Sequence, residues 1–109
     1  MSTENILANE MIPAVLTHPG MVIKDEIEYR GISQHTLSIQ TGIAYSAINE
    51  MLNGRRPITE KTALLLEAAL DISAETIMSM QYRYNMLKAK KDSTFMARVA
   101  NIRKVAAVL

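Results

Sequence analysis

Apolar residues along this chain recur at intervals of three and four, and no stretch alternates for long between apolar and polar. A period near 3.6 is that of an amphipathic helix, so the pattern predicts an all-α chain. The breaks fall at Pro13, Pro19-Gly20, Gly31, Gly42, Gly54 and Pro57. A first helix is expected over about residues 19–30. Proline suits its first position, Thr17 or His18 precedes it, and Gly31 suits the C-terminal cap. Val22, Ile23 and Ile27 form its apolar stripe. A second helix follows Ser33, a good N-cap, and stops before Gly42. A third covers about residues 45–53, with Gly54 behind it. A fourth follows Thr59 and carries Ala63, Leu64, Leu66, Ala69 and Leu70. A fifth follows Ser73 and continues to about residue 90, and a last one covers about residues 93–108.

The stretch from Ser33 to Gly54 holds the candidate chemistry. Two short helices are separated by a turn at Gly42, where the chain needs a residue able to adopt a positive φ. Leu37, Ile43, Ile48 and Leu52 fall where the two helices share a core, and Ser38 is small enough for a close crossing. This is the pattern of a helix-turn-helix, whose second helix presents its N-terminal residues to the major groove. The outward positions there are Ala44, Tyr45, Ser46, Asn49 and Glu50, the candidate base contacts. Asparagine pairs bidentately with adenine, glutamate accepts from cytosine, and serine or a tyrosine edge adapts to either. Ser33, Gln34, Asn53, Arg55 and Arg56 flank them as candidate phosphate contacts. His35 is expected to face solvent. Ile39 points away from the Leu37 face, as an interface residue would.

Ser33-Gln34, Leu37, Gly42-Ile43, Ile48 and Asn53-Gly54 resemble the motif of the Cro/repressor-like (XRE) DNA-binding domains. A second set narrows the match. His18-Pro19-Gly20 precedes the first helix, and Asn53-Gly54-Arg55-Arg56 is followed by Ile58-Thr59 and an Ala/Leu-rich helix. Ile72-Ser73, Glu75, Gln81 and Tyr84 come after it. Together these resemble the HigA-type antitoxins of bacterial toxin–antitoxin modules, over about residues 17–91. The resemblance implies a lambda-repressor-like domain of about five helices with an additional C-terminal helix. It implies binding of double-stranded operator DNA as a dimer and neutralisation of a co-encoded RNase toxin of the HigB type. The sequence departs from the usual pattern at Met21, at Ala44 in the capping position of the recognition helix, at Asp71 in place of glycine, and at Thr76-Ile77. Two other readings stay open: a stand-alone repressor without a toxin, and a protein-interaction module whose helix-turn-helix no longer reads DNA.

Composition changes this picture in a few respects. Among 109 residues there is no cysteine, which excludes disulfides, cysteine-ligated zinc and a thiol nucleophile. Two histidines make a histidine metal site improbable, and no glycine-rich phosphate loop is present, so neither a cofactor nor an enzymatic activity is expected. No apolar run approaches the ~20 residues that span a bilayer, and no signal peptide is evident, so a cytoplasmic protein is expected. The net charge is only +1, but it is unevenly spread. Residues 1–32 carry two basic against five acidic side chains, and residues 33–57 two against one. Residues 58–76 carry one against four, and residues 77–109 seven against one. The reading unit itself is therefore weakly basic, which predicts a shallow salt dependence of binding. An acidic N-terminal third is instead suited to a basic protein partner.

The domain organisation expected is an arm or short helix over 1–16, the helix-turn-helix domain over 17–72, and closing or dimerising helices over 73–109. The arm is apolar, with Ile6, Leu7, Met11, Ile12, Val15 and Leu16. In the last helix Phe95, Val99, Ile102 and Ala106 are spaced by four, three and four, drawing an apolar stripe with Arg98, Arg103 and Lys104 elsewhere on the helix. Such a stripe needs a cover, and dimerisation or closure of the domain is preferred over a dedicated toxin contact.

Overall fold

The structure is a computed structural model and describes residues 16–108. The expected N-terminal arm lies almost wholly outside the described residues. The described residues are helical, with no strand among them. In chain order the helices are α1 (Pro19–Tyr29), α2 (Gln34–Thr41), α3 (Tyr45–Leu52), α4 (Glu60–Leu70), α5 (Ala74–Lys91) and α6 (Ser93–Val108). Each boundary falls within one or two residues of the sequence expectation.

Local chemistry accounts for these boundaries. His18 caps α1: its Nδ1 accepts a hydrogen bond from the Gly20 amide at 2.9 Å. Ser33 and Thr59 cap α2 and α4, their hydroxyls accepting from the amides of Thr36 and Thr62 at 3.0 and 3.4 Å. A cap of this kind contributes about 1 kcal/mol. α1 ends in a Schellman turn, in which Ile32 donates to the Ile27 carbonyl and Gly31 to that of Glu28. Asp71 stands where glycine is usual and takes the left-handed conformation, φ 58°. Its acidic side chain tolerates that geometry better than most. The Arg30 guanidinium donates to the Leu70 carbonyl at 2.7 Å, satisfying an acceptor at the C-terminal end of α4.

Thr17–Tyr84 form one compact unit. Its core comprises Ile23 and Ile27 of α1, Leu37 of α2, Ile48, Met51 and Leu52 of α3, Ile58, Ala63, Leu66 and Leu70 around α4, and Ala74 and Ile77 of α5. Burial of each large aliphatic among them contributes about 1.5–3 kcal/mol. α3 packs on both α1 and α2, and α2 on α4. Two residues of the expected stripes face solvent instead: Val22 and Leu64 are exposed. In each case the neighbouring residues at helical spacing already fill the core, and a core-facing stripe accommodates only part of the turn. The expected domain boundary after residue 72 falls inside this unit, because Ala74, Ile77 and Gln81 of α5 are buried in it. The buried Gln81 carboxamide accepts from the Ile58 amide at 2.9 Å, tying α5 to the loop before α4.

The start of α1 and the end of α3 approach each other closely. A Cβ placed on Gly20 would lie 1.7 Å from the Met51 carbonyl oxygen. Two backbones meet there with no room for a methyl group. Gly20→Ala is expected to cost about 3 kcal/mol or more, since an overpacked backbone contact has no flexible side chain to move aside. For a domain of this size that lowers the thermal midpoint by roughly 12 °C or more, as circular dichroism would register. A midpoint within about 3 °C of the parent would contradict this contact.

Candidate nucleic-acid interface

The interface is built around α2 and α3. The turn between them rests on Gly42, at φ 75°, a conformation that a side chain with a Cβ adopts only at a cost. The Ser38 hydroxyl donates to the Ile43 carbonyl at 2.5 Å, and the Thr41 hydroxyl accepts from the Ile43 amide at 3.2 Å. Side chains of α2 thus satisfy the turn that would otherwise strand those backbone groups. Ser38 was expected for its small size. It also carries this hydrogen bond.

α3 begins at Tyr45 with Ala44 in the capping position, and no side chain caps it. Its core side is Ile48, Met51 and Leu52. Ala44, Tyr45 and Ser46 are exposed, and Asn49 and Glu50 are half-buried. The Asn49 side-chain nitrogen donates to the Gln34 carbonyl oxygen at 3.0 Å, bridging α2 and α3 on this face. That nitrogen carries two hydrogens. One is committed to Gln34, which leaves the second, with the Asn49 oxygen, as the donor–acceptor pair that an adenine edge requires. The same bond turns the Gln34 amide nitrogen away from Asn49. His35 is exposed as expected, and its ring lies 6.2 Å from that of Tyr45. Ile39 is exposed on the same helix, as the sequence indicated.

α3 closes with a Schellman turn. Arg55 donates to the Glu50 carbonyl at 2.8 Å and Gly54 to that of Met51 at 3.1 Å, with Gly54 at φ 73°. This turn fixes the backbone that presents Asn53, Arg55 and Arg56. The Asn53 carboxamide donates to the Asn49 carbonyl at 2.8 Å and accepts from Lys24 at 3.2 Å. Lys24 was not among the sequence candidates. It lies 29 residues before Asn53, and only the packing of α1 on α3 brings its ammonium beside the expected phosphate contacts. Glu50 and Arg56 were expected as separate base and phosphate contacts. Here they pair with one another at 2.6 Å, with both side chains about half exposed. Ser33 caps α2 with its hydroxyl, at the edge of this face. The expected interface residues Phe95, Val99, Ile102 and Ala106 lie on α6, which has no buried residue in the described chain.

The comparisons with known proteins come down on the side of this architecture. The helix-turn-helix family matches residues 23–77. The chain belongs to that family. It is 35% identical over 85 residues to Virulence-associated protein I of Dichelobacter nodosus, covering 77% of this chain and 76% of that protein. Among solved structures it is similar to an addiction module antidote protein of the HigA family from Coxiella burnetii. That likeness has 29% identity and a TM-score of 0.68, covering 72% of this chain and 87% of the other. It bears out the resemblance to HigA-type proteins drawn from the sequence. The same fold appears in the Pseudomonas aeruginosa antitoxin HigA solved with the higBA promoter, at 23% identity and a TM-score of 0.64, covering 87% and 96% of the two chains. Three of the residues that narrowed the sequence resemblance, His18, Gln81 and Tyr84, serve the helix-turn-helix unit's structure. His18 is buried and stacks edge-on against Tyr84 at 4.9 Å, and Gln81 holds Ile58. No helix among the described residues is long and apolar enough to cross a membrane.

Proposed function

We propose that this protein is a cytoplasmic, non-enzymatic DNA-binding antitoxin that binds the operator of its own operon as a dimer and neutralises a co-encoded RNA-degrading toxin. The observation that carries the DNA-binding part is the Gln34–Asn49 hydrogen bond across the two helices. It holds a half-buried asparagine with a donor and an acceptor on the recognition helix, one turn after the exposed Tyr45 and Ser46. Support for the antitoxin part comes from the similarity to the Coxiella burnetii antidote protein, and the Pseudomonas aeruginosa protein of the same fold was solved with a promoter.

In this reading Asn49, Ser46 and Tyr45 read bases and Ala44 packs close to the groove floor. Ser33, Gln34, Asn53, Arg55, Arg56 and the added Lys24 position the sugar–phosphate backbone. Two recognition helices must enter grooves ~34 Å apart on a palindromic site, so the active species is a dimer. The apolar stripe of α6, exposed at Phe95, Ile102 and Ala106 and half-buried at Val99, supplies its interface. A stripe this apolar is stabilised by removal from water, and α6 offers it along about three turns.

In a titration of duplex DNA from immediately upstream of the protein's reading frame, Asn49→Ala relaxes discrimination against a scrambled duplex by ~1–3 kcal/mol. Arg55→Ala weakens binding to both duplexes alike and lowers the salt slope by about 1. If neither change alters binding, the assignment of this face is wrong. Ile102→Asp yields a monomer in sedimentation at concentrations where the parent is dimeric, with helicity retained; an unchanged dimer places the interface elsewhere. Co-expressed with the adjacent reading frame, the protein co-purifies with that frame's product. Separate elution, with no rescue of growth, would leave a repressor without a toxin.

A further inference from the structure

Glu50 is the only acidic residue between positions 33 and 57, and Arg55 and Arg56 are the only basic ones. Its carboxylate lies 2.6 Å from the Arg56 guanidinium. The contact is built in by the chain's course. The Schellman turn returns the backbone so that the Arg55 amide bonds the Glu50 carbonyl, with Gly54 in the left-handed conformation. Arg56 therefore leaves the turn beside the residue that ends the exposed face of α3. A carboxylate in this place has two possible duties. It can accept from a cytosine edge, or it can hold the guanidinium that a phosphate would otherwise take. The Arg56 contact engages Oε1 and partly neutralises the carboxylate, which weakens it as an acceptor for a base edge.

We propose that Glu50 acts as a restraint on Arg56 and has no part in base reading: phosphate must displace the carboxylate to gain Arg56, so the pair lowers affinity for DNA of every sequence. This rests on the DNA-binding reading above. The pair is about half exposed, so water and salt weaken it, and a phosphate can exchange for it. The consequence is a protein whose hold on DNA depends more on Asn49, Ser46 and Tyr45 than on charge. That agrees with the weakly basic balance of residues 33–57.

The test is the Glu50→Gln variant, alone and combined with Arg56→Gln, titrated with the upstream duplex and a scrambled duplex over a range of salt. Freeing one cation for one phosphate steepens the salt slope by about 0.9, equivalent to about eightfold tighter binding at 0.1 M salt. The expected result is that gain on both duplexes, with their affinity ratio unchanged, and its disappearance in the Arg56→Gln background. Loss of affinity for the upstream duplex alone would make Glu50 a base reader and overturn the inference. So would a gain that persists without Arg56, which marks general repulsion, or no change at all. If the parent protein binds neither duplex, the DNA-binding reading itself falls, a result distinct from these.

Discussion

The helix-turn-helix unit depends on one backbone contact, the meeting of Gly20 at the start of α1 with the Met51 carbonyl near the end of α3. Everything at the far end of the recognition helix is set by it. His18 caps α1 from within this contact, packs against Tyr84, and stands within van der Waals range of the Cβ that Gly54 lacks. The Schellman turn that presents Arg55 and Arg56 is thereby backed by a buried histidine and by the first turn of α1. Because α1 lies close along α3, Lys24 reaches Asn53. A single missing methyl group at Gly20 thus connects the packing of the core with the arrangement of cations at the candidate interface.

A second level of control lies in hydrogen bonds that join pairs of elements. Gln34 reaches Asn49 between α2 and α3, Gln81 reaches Ile58 between α5 and the loop before α4, and Arg30 reaches Leu70 between the ends of α1 and α4. Each satisfies a polar group that packing would otherwise strand, and leaving such a group unpaired costs about 1–3 kcal/mol. These bonds order the candidate interface before any ligand arrives, so less side-chain entropy is lost on binding. Ala44 is the exception. The recognition helix starts without a side-chain cap, and its first turn is held by the turn before it and by Ile48 beneath.

The charge distribution sets the interface apart from strongly basic DNA-binding surfaces. Of the two arginines that follow the recognition helix, one is engaged by Glu50. Long-range attraction is correspondingly weak, and in the proposed reading placed hydrogen bonds and dimeric geometry supply the selectivity. The seven basic residues after position 76 lie outside the reading unit in sequence, and α6, which carries three of them, leaves most of its apolar stripe exposed.

Much of this was legible in the chain itself, because helix boundaries depend on local chemistry. Pro19, Ser33, Thr59 and the glycines mark ends that need a cap or a positive φ, and these requirements do not wait for tertiary contacts. The turn at Gly42 with Leu37 and Ile48 marked the helix-turn-helix, whereas Asp71 stood out only through the resemblance, as a departure from glycine. Which apolar residues stay outside was not legible. Val22 and Leu64 have the composition of core residues, and only the direction from which neighbouring helices approach decides their exposure. Lys24 and the engagement of Glu50 by Arg56 were equally hidden, since one depends on a crossing of helices 29 residues apart and the other on the path of a turn. The sequence by itself determined the helices, their ends and the candidate interface on the helix-turn-helix, through periodicity and capping. Tertiary structure alone decided which charged groups on that face meet each other, because side-chain partners are set by the approach of distant backbones.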